Sequence, residues 1–219
     1  MLAKDIISHD ALPLRISDTG EDALSMMNLF LVKHLPIVSD TKFLGLISED
    51  IILNHDIEEA VGSYSLSLVR PFVRENDHLF EVMSRLAENN LTLIPVLNKE
   101  DNYSGLISLE DLLSYFAKNF SFSEPGSILV LKTSKPQYSL SEISRIVESE
   151  NASIISTFLT SEDQSNGVYV TLKINKQDIN SIIASFVRFD YEISATFSDY
   201  EYIDDLKERY DSLMNYLSI

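Results

Sequence analysis

The chain has no cysteine among its 219 residues, which excludes disulfides, thiol catalysis and cysteine metal sites. Basic residues are scarce, 17 against 34 acidic ones, for a net charge of −17. The deficit runs through both halves, −10 over residues 1–118 and −7 over 119–219. Such a chain repels nucleic acid and anionic membranes, and a polyphosphate would need basic side chains gathered locally. No stretch approaches the ~20 apolar residues that span a bilayer. The start, Met1-Leu2-Ala3-Lys4-Asp5, carries no apolar run after a basic segment and so does not read as a signal peptide; the expected location is the cytoplasm. A Gly-rich phosphate loop, a nucleophile elbow and a serine triad are all missing. His9, His34, His55 and His78 lack the i, i+4 spacing of helical metal ligands. No catalytic residue, metal or cofactor is expected.

What is present is a sequence written twice. Asp18 matches Asp77, Ala23-Leu24 matches Val82-Met83, Met27 matches Leu86, and Leu35-Pro36-Ile37 matches Ile94-Pro95-Val96, each pair 59 positions apart. After one residue of slip in a polar loop, Gly45-Leu46-Ile47-Ser48 matches Gly105-Leu106-Ile107-Ser108. Two copies are too few for a solenoid. They predict two small units sharing a core, with a cleft at the junction suited to a small molecule.

Each copy reads as strand, helix, strand, strand, helix. In the first, Leu14–Ile16 is a short extended segment, and Asp18 or Thr19 caps a helix with a stripe of Ala23, Leu24, Met27, Phe30 and Leu31. Leu35–Val38 and Phe43–Ile47 are strands, and a helix runs from about Glu49 to Asn54. In the second, Asp77 is the cap and Leu79, Val82, Met83 and Leu86 form the stripe; Leu93–Leu97 and Tyr103–Ile107 are strands before a helix from Leu109 to about Ala117. The connector, about Asp56 to Arg70, has room for a short helix at Ile57–Val61.

Beyond the breakers in Ser123-Glu124-Pro125-Gly126 the pattern becomes βαββαβ, a ferredoxin-like layout, with a hairpin at Ser165-Asn166-Gly167. At the end, Ile203, Leu206, Tyr210, Leu213 and Leu217 fall at spacings of three and four, read as a helix packing on its own chain. The expected class is α+β: a repeat pair over 1–118 (about 1–60 and 61–118), a linker at 119–126, a βαββαβ domain at 127–198 and a helix at 199–219.

The acidic cap, amphipathic helix, hydrophobic-Pro-hydrophobic strand and Gly-Leu-Ile-Ser ahead of a helix resemble a tandem pair of CBS domains. The βαββαβ remainder looks like an ACT domain, and the whole is similar to CBS–ACT proteins of the acetoin-utilisation type. The resemblance implies an adenosine-containing ligand in the clefts of the pair. The family motif of Gly, two apolar residues, Ser or Thr, two residues and Asp is intact in Gly105-Leu106-Ile107-Ser108-Leu109-Glu110-Asp111. It implies that Asp111 accepts ribose hydroxyls, that Ser108 offers a hydroxyl at a helix start, and that Ile94 and Pro95 line an adenine slot. Arg74 is the nearby cation that could face a phosphate.

Copy one departs. Its Asp50 stands one residue early and Ile51 holds the motif position, a rotation of ~100° on a helix. Ser48, Asp50, Leu35, Pro36 and His34 are therefore expected to form a weak or absent second site. In the ACT-like part Pro136 survives from the family's ligand loop, and Asn151 replaces a glycine. Pairing between such domains is expected there rather than amino-acid binding. The expected function is a non-enzymatic regulatory module sensing AMP, adenosine or S-adenosylmethionine as a homodimer. The alternative is an assembly module with vestigial clefts that binds a protein partner constitutively.

Overall fold

Both repeats form the helix, strand, strand and helix that their apolar spacing predicts. In this computed structural model, described for residues 1–8, 12–64, 68–120, 124–161 and 166–198, the chain divides into two units, Met1–Phe116 and Ala117–Ile219. The helix expected at 199–219, with its Ile203–Leu217 seam, lies outside the described residues, as do His9 and Ser165.

Repeat one comprises α1 (Gly20–Leu29), β1 (His34–Ser39), β2 (Lys42–Ser48) and α2 (Glu49–Leu53), with β1 and β2 antiparallel. The leading segment makes only one parallel bridge, Leu14 to Ile37. Repeat two contains β3 (Val73–Arg74), α3 (Leu79–Glu88), β4 (Leu93–Leu97), β5 (Tyr103–Ser108) and α4 (Leu109–Asn119). Here the leading segment is a strand, parallel to β4, and β4 is antiparallel to β5. All five residues of β4 are buried, which is why it reads as a continuous apolar run rather than an alternating one.

The helical stripes bury Ala23 and Met27 on α1, and Leu79, Val82 and Leu86 on α3. Leu31 does not join its stripe. It follows α1 with a left-handed φ of 52° and is 82% exposed. Asp77 does not cap α3 either. Its carboxylate accepts the Arg74 N–H at 2.8 Å, closing the preceding turn, and His78 becomes the cap, its Nδ1 accepting from the Phe80 N–H. The same division holds in repeat one, where Asp18 accepts the Arg15 N–H and Thr19 caps α1. No helix spans 57–61. The Ile57 and Glu59 carbonyls instead accept the Glu21 and Gly20 N–H groups at 2.9 and 3.2 Å, satisfying donors that a helix start leaves without partners. A 3-10 turn at Val61–Ser63 follows.

The second unit runs β6 (Ser127–Ser134), α5 (Leu140–Ser149), β7 (Ile154–Ser161), β8 (Gly167–Ile174), α6 (Asn180–Arg188) and β9 (Glu192–Phe197). The sheet order is β7-β8-β6-β9, antiparallel throughout. This is the ferredoxin-like α+β layout. Val168, Val170, Leu172 and Ile174 alternate inward on β8. Val170, Leu172 and Ile174 share one core with Ile143, Ile146 and Val147 of α5 and with Ile182 and Phe186 of α6.

Candidate functional site

β5 delivers Ser108 to the start of α4. Its Leu106 and Ile107 are buried, so the strand is anchored by its apolar residues while its last residue is left half-buried. Gly105 has φ 146°, a conformation that a side chain would disfavour. At the helix start the Ser108 N–H and hydroxyl both donate to Asp111 Oδ2, at 2.8 and 2.6 Å, and the Asp111 N–H donates back to Ser108 Oγ at 3.0 Å. This reciprocal box satisfies two donors of the first turn and fixes the carboxylate at the positive end of the helix.

Ser108 and Asp111 border a cavity of about 250 Å³, slightly below the ~300–1,000 Å³ usual for small-molecule sites. Its far wall comes from repeat one: Leu29, Phe30, Leu31 and Val32, where α1 ends. The near wall adds Glu110, Ser114 and Leu106. Among the described residues it has two carboxylates and no lysine or arginine. The contribution of repeat one is the part that the motif did not disclose.

The other residues expected with Asp111 lie elsewhere. Ile94 and Pro95 are buried in β4, paired with Ile107 and Leu106; they support the strand behind the cavity and do not line it. Arg74 donates to Asp101 Oδ1 at 2.8 Å and to the Asn98 carbonyl at 3.1 Å, and its guanidinium lies 5.6 Å from the Phe72 ring. It borders a separate cleft of about 580 Å³ with Phe72, Asp77 and Arg85. Repeat one has the matching cleft, about 740 Å³, bordered by Pro13, Arg15, Asp18 and Met26. These are the same positions 59 residues earlier, so the repeat register alone was enough to pair them.

In repeat one Ser48 caps α2 by accepting the Ile51 N–H at 3.3 Å, with no carboxylate to answer it. Asp50 is exposed, while Leu35 and Pro36 are buried in β1. His34 is half-buried, and its Nδ1 lies 3.2 Å from Thr92 Oγ1 of the other repeat. Burial holds its pKa below the usual histidine value; Asp50 opposes that shift and Lys33 reinforces it. In the second unit Pro136 lies in the turn closed by the Gln137 and Tyr138 N–H groups on the Ser134 carbonyl. Asn151 follows α5 with φ 55°, a left-handed conformation that asparagine tolerates.

Among the described residues no group of three or more His, Asp or Glu side chains is placed to hold a metal ion, and no helix is long and apolar enough to cross a membrane.

Comparison with known proteins matches the CBS domain family to residues 3–58 and 68–118. A CBS domain-containing protein of Methanocaldococcus jannaschii is 23% identical over 118 residues, covering 53% of this chain and 95% of that protein. Among solved structures, a CBS domain pair/ACT domain protein of Thermotoga maritima is similar at a TM-score of 0.48 and 23% identity, covering 53% of this chain and 96% of that one. CBSX2 in complex with AMP is similar at a TM-score of 0.45 and 18% identity, covering 52% of this chain and 94% of that one.

Proposed function

We propose, from the premise that residues 3–58 and 68–118 are a tandem pair of CBS domains, that the chain is a non-enzymatic regulatory module binding one adenosine-containing ligand at Ser108 and Asp111. The observation that carries the reading is the Asp111 carboxylate, held at the head of α4 on the wall of a cavity to which both repeats contribute. Its Oδ2 is engaged by Ser108, leaving Oδ1 to accept ribose hydroxyls, while the apolar end of α1 suits a base. Two carboxylates, with no lysine or arginine among the described residues that line the cavity, disfavour phosphate. Adenosine and S-adenosylmethionine, whose sulfonium is a cation, therefore rank above AMP, and AMP above ATP.

Ligand acts by population shift, closing the two repeats on each other because it binds one arrangement better. The ferredoxin-like unit, which resembles an ACT domain, holds a homodimer or passes the signal on. Division of labour follows 1–118 for sensing and 127–198 for assembly. Thermal unfolding with adenosine, S-adenosylmethionine, AMP and ATP tests this. A ligand at a hundred times its Kd adds about 2.7 kcal/mol, and the gain should vanish in Asp111→Ala.

A second reading, a constitutive assembly module with vestigial clefts, draws on repeat one, whose helix cap has lost its carboxylate. Absence of any shift with all four compounds would favour it over the sensor.

A further inference from the structure

Lys33 and Thr92 hold the same place in the two repeats, just ahead of β1 and β4. In each repeat the carbonyl of that residue holds the first N–H of the following helix: Glu49 N–H on Lys33 O at 3.0 Å, and Leu109 N–H on Thr92 O at 3.1 Å. These two anchors are bonded to one another, the Lys33 N–H donating to Thr92 Oγ1 at 2.9 Å. The Thr92 hydroxyl lies 3.2 Å from His34 Nδ1, and the Thr92 N–H faces the same nitrogen at 3.5 Å. The N–H can only donate, so Nδ1 must offer a lone pair. That requires the neutral ring protonated on Nε2. A continuous path therefore runs from His34 through Thr92 to Leu109, the residue after Ser108.

We propose that Thr92 is a positioning residue for the Ser108–Asp111 site and that His34 makes it pH-sensitive: the neutral ring holds Thr92, and through it the first turn of α4, and protonation releases both. For its ligand this rests on the adenosine reading above; for its geometry it does not. A proton on Nδ1 puts a donor opposite the Thr92 N–H and leaves that N–H without an acceptor, which costs more than the bond itself contributed.

The charged groups acting on the ring are Asp50 from α2, which favours the cation, and Lys33, which disfavours it; burial, reinforced by Lys33, outweighs Asp50 and leaves the folded pKa lowered. An unfolded chain therefore binds this proton at higher pH than the folded one. The stabilisation is complete above the ordinary histidine value of about 6.5 and is lost as pH falls through the folded value.

The test is amide hydrogen exchange of Leu109 and Asp111 followed from about pH 7.5 to about pH 5, across the ordinary histidine value, beside NMR titration of the His34 ring. Protection, corrected for intrinsic rates, should fall about three- to tenfold, the factor for one intramolecular hydrogen bond, in step with the ring. It should hold at acid pH in His34→Asn, whose amide oxygen accepts without titrating. Adenosine, uncharged over this range, should lose affinity by the same factor in the wild-type chain alone. Protection indifferent to the His34 titration in the wild-type chain overturns the coupling, whether or not the variant folds; so does an equal fall in His34→Asn. If adenosine fails to bind at any pH while protection follows the ring, the adenosine reading falls and the coupling stands.

Discussion

The Tyr64 hydroxyl occupies the space that a side chain on Gly20 would need. Gly20 opens α1, and Tyr64 closes the 3-10 turn at the end of the first repeat. The same hydroxyl donates to the Asp56 carbonyl at 2.9 Å, and the Tyr64 ring stacks on His55 with centroids 4.5 Å apart. With the Ile57 and Glu59 carbonyls on the first N–H groups of α1, the connector behaves as the cap of a helix whose first residues precede it by more than 30 positions.

Gly20→Ala follows directly. Alanine is favoured over glycine in a helix by about 1 kcal/mol, yet its Cβ would also lie 2.9 Å from the Ile57 Cα. Overpacking of this kind costs about 1–3 kcal/mol, so the variant should unfold at lower urea concentration. A variant as stable as the parent would mean that the connector gives way freely.

Asp111→Glu separates the cap from the ligand. Glutamate at the third helical position still completes a capping box with serine, so stability should stay within about 0.5 kcal/mol. Adenosine affinity, measured by calorimetry, should fall at least tenfold because the carboxylate has moved by one methylene. Asp111→Ala should lose both affinity and about 1 kcal/mol of stability. Unaltered affinity in the glutamate variant would leave Asp111 with a structural role only.

Ile51→Asp restores in repeat one the spacing that repeat two keeps. The new carboxylate would stand three residues after Ser48, where the Ile51 N–H already meets the serine oxygen. The cap gained, about 1 kcal/mol, offsets apolar burial lost from a half-buried side chain, so stability should change little. Adenosine binding should move from one site per chain toward two. If it stays at one, the missing carboxylate is not what silences this repeat.

Tyr191 in the second unit donates to Glu142 Oε2 at 2.8 Å. Burial, with the Glu142 hydrogen bond and charge, pushes its phenol up to about 12, against about 10 unfolded. The folded chain keeps this proton longer, so the stability it contributes is complete below about pH 10 and is lost as pH rises through the folded value. Absorbance titration should show a late phenol that disappears in Tyr191→Phe. That variant should also lose about 1 kcal/mol from the missing hydrogen bond. If the late step survives, it belongs to another phenol that burial also pushes up, Tyr103 or Tyr64.

The duplication, the apolar faces of α1 and α3 and the βαββαβ order were all legible in the chain, because periods of 3.6 and 2 report which side of an element is buried, whatever it packs against. So was the Ser108–Asp111 pair, since a capping box is a bond between residues three apart. Other assignments depended on partners far along the chain. Asp77 became a turn acceptor and His78 a cap; Ile57–Val61 gave up its helix because its carbonyls were needed at α1. Arg74 turned toward Asp101, and the far wall of the cavity came from Leu29–Val32. His34 and Thr92, 58 positions apart, meet only across the seam of the repeats. Local pattern states what each segment would bury. Which donor meets which acceptor is settled when folding brings distant backbone groups together and none can stay buried without a partner.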